Sequence, residues 1–88
     1  MHIEKSELAS LLIKKEPNQR IFICTNDNHY KVWMIKREGN EVVTKWGRIE
    51  LSKKLQSKTK IFGDGYRASQ FIMLKVSEKY AKGYVEVK

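Results

Sequence analysis

The chain has one cysteine, one proline and five glycines among 88 residues, and no apolar run longer than four. A lone Cys24 excludes an intramolecular disulfide and every paired-cysteine zinc spacing. Runs such as Ile21–Cys24 and Phe71–Leu74 fall far short of the roughly 20 apolar residues needed to span a bilayer. Few Gly and Pro, together with 41% apolar content, argue against disorder and for one compact core. Behind Met1-His-Ile-Glu-Lys-Ser6 there is no apolar stretch of about 7–15 residues, so no secretory leader is expected. A reducing, cytoplasmic home, the nucleoid included, is the simplest expectation.

Acidic residues are also scarce, and they are unevenly placed. Eighteen Lys and Arg oppose ten Asp and Glu, a formal charge of +8. Residues 1–30 hold four basic and four acidic groups; residues 31–60 hold nine and three; residues 61–88 hold five and three. The surplus of +6 in the middle third is the electrostatic footprint of a polyanionic partner, nucleic acid or acidic lipid. A merely solvated lysine face is the bland alternative.

Catalytic constellations are missing as well. Cys24 and His29 are the one thiol–base pair on offer, and nothing nearby would orient the base, so a buried structural Cys and a turn His are expected. His2, Cys24 and His29 lack metal-ligand spacing, and the carboxylates are scattered singly. Gly63-Asp64-Gly65 lacks the remainder of a phosphate-binding loop and reads as a turn with Asp64 as a helix N-cap. No metal, no cofactor and no enzyme activity are expected.

What is present reads as an α+β domain. Leu8, Leu11 and Leu12 suggest a short helix over residues 4–15 with Ser6 as N-cap, the alternative being a strand opening at Leu11-Leu12-Ile13. Arg20–Thr25, Tyr30–Arg37, Glu41–Ile49 and Leu55–Phe62 read as antiparallel strands, with turn residues Asn26–Asn28 after the first. A helix from about Gly65 to Ala81 then carries the apolar stripe Ala68, Phe71, Ile72, Val76 and Tyr80, Gly83 stops it, and Tyr84–Val87 returns as a short edge strand. The helix should cover one face of the four- to five-stranded sheet.

Gly39-Asn40 is a two-residue hairpin loop, so facing positions sum to 79 (39 + 40). Trp33 then faces Trp46, Ile35 faces Thr44 and Lys31 faces Arg48, all on one face. Lys58 and Lys60 share a face of the next strand. The tripeptide Trp46-Gly47-Arg48 sits at the end of this row. Trp and Arg suit stacking on and clamping a sugar-phosphate chain, and a Gly inside a strand marks a bulge or a close approach. The residues themselves leave Trp46 open between packing and stacking; Trp33, within an apolar run, reads as core.

These features together resemble the WGR domain, the family named for this tripeptide. Lys31-Val-Trp-Met-Ile35 is similar to the family's strand before the hairpin. Gln56-Ser57-Lys58 and Lys60-Ile-Phe62 resemble the strand after the signature. Ala68, Phe71, Lys79 and Lys82-Gly83-Tyr84 resemble its helix and close. The likeness covers about residues 19–87. It implies a DNA-binding module like that of DNA-dependent poly(ADP-ribose) polymerases and of bacterial proteins, with no transferase domain. Trp46 would stack at a strand end, Arg48 would clamp or couple, and Gly47 would let the backbone come close. Lys31, Lys45, Lys53, Lys54, Lys58 and Lys60 would hold phosphates. The family commonly has glycines where this chain has Glu50 and Leu55, which alters the loop after the signature. The expected partner is DNA, as a duplex end, a nick or plain backbone. A protein-docking module using the same Trp-Arg face and a single-stranded nucleic-acid binder are the alternatives.

Overall fold

The computed structural model of the protein describes residues 16–25, 30–49 and 54–87. The expected helix over 4–15, the turn at 26–28 and residues His2, His29, Glu50 and Lys53 lie outside them. Within the described residues the order is β1 (Gln19–Cys24), β2 (Lys31–Glu38), β3 (Glu41–Arg48), β4 (Gln56–Ile61), α1 (Gly65–Ala81) and β5 (Val85–Val87). The strands form one antiparallel sheet in the order β4-β3-β2-β1-β5. The α+β reading therefore holds, with β5 added beside β1.

The turn between β2 and β3 organises the rest. Gly39 has φ 61, the positive value that a type II′ turn needs at its first loop residue. The register that follows pairs Lys31 with Arg48, Trp33 with Trp46 and Ile35 with Thr44, as the loop length requires. Asn40 also reaches beyond its hairpin. Its Nδ2 donates to the Phe62 carbonyl at 2.7 Å, and its own carbonyl accepts from Phe62 N at 2.8 Å. Arg37 Nη1 donates to the Gly65 carbonyl at 3.0 Å. The hairpin loop thus holds both the exit of β4 and the entry of α1.

Helix α1 begins where Asp64 Oδ1 accepts from Arg67 N at 2.8 Å, an N-cap worth about 1 kcal/mol. It ends in a Schellman motif. Gly83, at φ 91, donates to the Tyr80 carbonyl at 3.1 Å, and Tyr84 N donates to the Lys79 carbonyl at 3.0 Å. This closure folds Tyr84 back toward Lys79 instead of releasing it straight into β5.

Both faces of the sheet bury apolar side chains. Phe22, Trp33, Ile35 and Val42 pack with Ala68 and Val76 of α1, and Trp46, Phe62, Phe71, Ile72 and Tyr84 fringe this cluster. On the other face Ile21, Ile23, Val32, Met34, Ile49 and Val87 form a second cluster, with Leu55 against it. Double-sided burial explains why β1 and β2 read as continuous apolar runs and not as an alternation. Each fully buried Phe, Ile or Val contributes roughly 1.5–3 kcal/mol. β1 starts one residue earlier than its composition suggests, because Gln19 is drawn into the ladder. Its amide donates to Met34 Sδ at 3.5 Å and accepts from Glu16 N at 2.9 Å, which satisfies a side chain that is only 7% exposed.

Arg20 ties β1 to β5 and α1. Its guanidinium donates two hydrogen bonds to Glu86, at 2.9 and 2.7 Å, and the Tyr80 hydroxyl donates to the same carboxylate at 3.0 Å. The bond to Glu86 holds the Arg20 pKa above its ordinary value. Tyr80 is half exposed, yet its ring meets Phe22 edge-on at 5.5 Å. It closes the helix end against the sheet.

Gly47 has φ 155, and a Cβ built on it would lie 2.8 Å from Leu55 Cδ2. Gly47→Ala should therefore destabilise the fold by about 1–3 kcal/mol, from overpacking and backbone strain. Urea unfolding measures the change. Gly47→Ala combined with Leu55→Ala should show positive coupling, because the second change removes the clash; strict additivity would refute the contact as the cause.

Candidate nucleic-acid interface

The pairing register and the position of α1 create a groove of about 650 Å³ on the helix side of the sheet. One wall is the sheet. Lys31 and Arg48 form the cross-strand pair at its end, and Lys58 and Lys60 extend it onto β4. Thr44 faces Lys58, and Val42 faces Lys60, so these two lysines point to the same side as Trp46. The second wall is the helix, with Lys75, Lys79 and Lys82 at i, i+4 and i+7. Seven cations thus face a space whose lining includes one acid, Glu78.

Aromatic rings line the groove between the walls. Trp33 is buried, at 4% exposure, while Trp46 and Tyr84 are half-buried at the surface of the core. Several ammonium groups rest on rings. Lys79 Nζ lies 5.3 Å from the Trp33 ring centroid and 5.1 Å from that of Tyr84. Lys60 Nζ lies 4.9 Å from Phe71 and 5.4 Å from Phe62, and Lys75 Nζ lies 5.5 Å from Phe71. Cation–π contacts of this kind contribute about 0.5–1 kcal/mol at exposed sites. They also hold flexible lysine stems in place before any anion arrives.

Most residues singled out in the sequence meet here. Lys31, Trp46, Gly47, Arg48, Lys58 and Lys60 all line the groove. Lys45 does not: it pairs with Ser57 on the opposite face and lines a small cleft with Glu16, Lys36 and Glu38. The alternation of a strand puts neighbours of Trp46 on the far side, so sequence adjacency to the signature misplaced it. Lys54 is exposed and is not among the groove-lining residues. The side of Gly47 that lacks a Cβ faces Leu55, so the close backbone approach there is made by this chain's own leucine. Trp33 is core, as its apolar run indicates, although its ring also receives Lys79.

The sequence reading missed the helix wall. Lys75, Lys79 and Lys82 share one helical side with Phe71, a basic stripe visible at 3.6-residue spacing. Cations near a helix C-terminus, as Lys79 and Lys82 are, also complement its dipole, an ordinary role that does not by itself point to a groove. Tyr84 was missed because only the Schellman closure brings it back over Lys79. Among the described residues no group of three His, Cys, Asp or Glu could hold a metal ion.

Burial pushes the Lys79 ammonium below its ordinary pKa, and the neighbouring charge of Lys82 pushes the same way, while Glu78 partly opposes the shift. Between this lowered value and the unfolded value near 10.5, the unfolded chain binds more protons at this site. Stability from Lys79 therefore rises with pH across that window, opposite in sign to Tyr84, whose hydroxyl is pushed up by burial. We expect Lys79 to titrate below 10.5 by NMR of its side-chain Cε. Lys82→Gln should move its midpoint upward, and a bound polyanion should do the same; an unmoved midpoint in both cases would contradict the shared-field account.

The sequence model of the WGR domain matches residues 18–88. Protein YehF of Escherichia coli (strain K12) is 34% identical over 67 residues, which is 76% of this chain and 24% of YehF. A Bacteroides fragilis protein of known crystal structure superposes with a TM-score of 0.72 at 28% identity, covering 80% of this chain and 19% of that one. The chain thus spans about a quarter of the curated relative and a fifth of the solved chain. With the five-stranded antiparallel sheet, the single long helix and the Trp46-Gly47-Arg48 signature on β3, the chain belongs to the WGR domain family.

Proposed function

We propose that this WGR-type module is a non-enzymatic DNA-binding unit that grips the sugar-phosphate backbone or a strand end in the groove between sheet and helix. The observation that carries this reading is the meeting of seven cations and three half-buried aromatic rings, Trp46, Phe71 and Tyr84, in one cleft. Lys31, Arg48, Lys58 and Lys60 contact phosphates from the sheet side. Trp46 covers a sugar or an exposed base. Gly47 keeps the strand narrow beside Leu55. WGR domains are nucleic-acid-associated modules, which agrees with a polyanionic partner. The domain proper runs over residues 19–88, and residues 1–18 are an extension of it. No described helix is long and apolar enough to cross a membrane.

Backbone recognition of this kind is largely independent of base sequence and sensitive to salt. With about four phosphates neutralised, log K should fall against log salt with a slope near −3.6, or roughly 150-fold between 50 and 200 mM. The test is titration of blunt duplex, nicked duplex and single-stranded oligonucleotides at both salt concentrations. Trp46→Ala should weaken binding by about 1–3 kcal/mol where its ring meets a base. Its fold is checked first by urea unfolding, because Trp46 also packs against the core. Absence of binding to all three DNAs at low salt would overturn the proposal and favour docking of a protein on the same Trp-Arg face.

A further inference from the structure

We infer that the helix wall of the groove makes the preferred ligand an unpaired strand at a duplex end, threaded between α1 and the sheet, and not the intact duplex surface. This rests on the DNA-binding reading of the same groove and names its ligand more narrowly. The groove has about 650 Å³ of space, within the range of clefts that enclose one small molecule. A stretch of one or two nucleotides is matched to such a space, and a paired double helix is not.

The placement of the cations points the same way. Lys58 and Lys60 come from β4, Lys31 and Arg48 from the β2–β3 pair, and Lys75, Lys79 and Lys82 from α1. They face one another across the aromatic floor, so a phosphate chain between them is approached from both sides. Lys79 is half-buried, with its ammonium over both Trp33 and Tyr84. A phosphate must enter the groove to meet it. Trp46 and Tyr84, half-buried beside the cations, offer surfaces to bases or sugars of an unpaired strand. Stacking on aromatic side chains within a positive groove is the usual way in which proteins hold single strands without reading their sequence.

The closing experiment compares a blunt duplex with the same duplex carrying a four-nucleotide overhang at its 3′ or 5′ end, and with the overhang strand alone. Wild type, Lys79→Met and the double variant Lys75→Gln/Lys82→Gln are titrated against each. An overhang, or the free strand, should bind at least 10-fold tighter than the blunt duplex. The double variant should lose at least about fivefold more affinity for the overhang and the free strand than for the blunt duplex, so that most of the preference disappears. Its salt slope on the free strand should fall by about 1.4, from two lost contacts at roughly 0.7 each. Lys79→Met keeps the stem against the rings and removes the charge; should it unfold, the double variant alone decides. Equal affinity for blunt and overhanging duplex would overturn this inference and leave the DNA-binding reading standing. Loss of affinity for all DNAs to the same extent in the double variant would also overturn it, because the helix wall would then be a general contact. No binding to any DNA by wild type would end both.

Discussion

A two-residue turn carries more of this structure than its size suggests. Gly39 supplies the positive φ that lets β2 and β3 close on each other without splaying. The register it sets places Trp33, Trp46, Lys31 and Arg48 on one face. A slip of β3 by one residue against β2 would send Trp46 and Arg48 to the far side and turn Lys45 toward the helix. Asn40 then bonds to Phe62, and Arg37 to Gly65, so the same turn decides where β4 ends and α1 begins. The loop holds the exit of β4, and Arg37 of the adjoining β2 holds the entry of α1, so one hairpin ties both walls of the groove.

Seven cations around one space repel each other, and the fold tolerates this in identifiable ways. Lys75 pairs with Glu78 at 3.3 Å, an exposed contact worth a few tenths of a kcal/mol. Lys60, Lys75 and Lys79 lay their ammonium groups on Phe62, Phe71, Trp33 and Tyr84. Burial first, and the charges of Lys82 and Lys75 after it, hold the Lys79 pKa below its ordinary value, while Glu78 opposes them. An anion in the groove would replace lost hydration and cancel neighbouring charge together. On the proposed reading, an anion would thereby gain from cations and rings that are already in place, which lowers the ordering cost of binding.

Much of this was legible in the chain. The helix bounds Gly65–Ala81, the Asp64 cap and the hairpin register follow from short-range rules that leave little freedom. Strand alternation brought Lys58 and Lys60 to the correct face. By the same alternation Lys45, which neighbours Trp46 in sequence, is opposite to it in space. The helix wall was harder, because a basic stripe on a helix has an ordinary reading as solvation or dipole compensation. Only packing decides that this stripe looks across a cleft at Arg48 and not outward to bulk water. Tyr84 was illegible for a further reason: its place depends on the left-handed Gly83, whose effect is to reverse the chain over Lys79.

Fold and site share residues closely enough that their energetics are not separable by single truncations. Lys79 provides the carbonyl that closes the Schellman motif, a stem packed beside Trp33 and Tyr84, and a charge in the groove. Trp46 is both the fringe of the core and a wall of the cleft. Gly47 is required by Leu55 on one face of the sheet while it contributes to the groove on the other. The contact with Leu55 and the positive φ together favour glycine at position 47 whatever the groove holds. A substitution at Gly47 that weakened DNA binding would by itself say little about contact with DNA. Charge removal at Lys75 and Lys82 is cleaner, because these side chains belong to neither buried cluster and their loss relaxes a repulsion without opening a cavity.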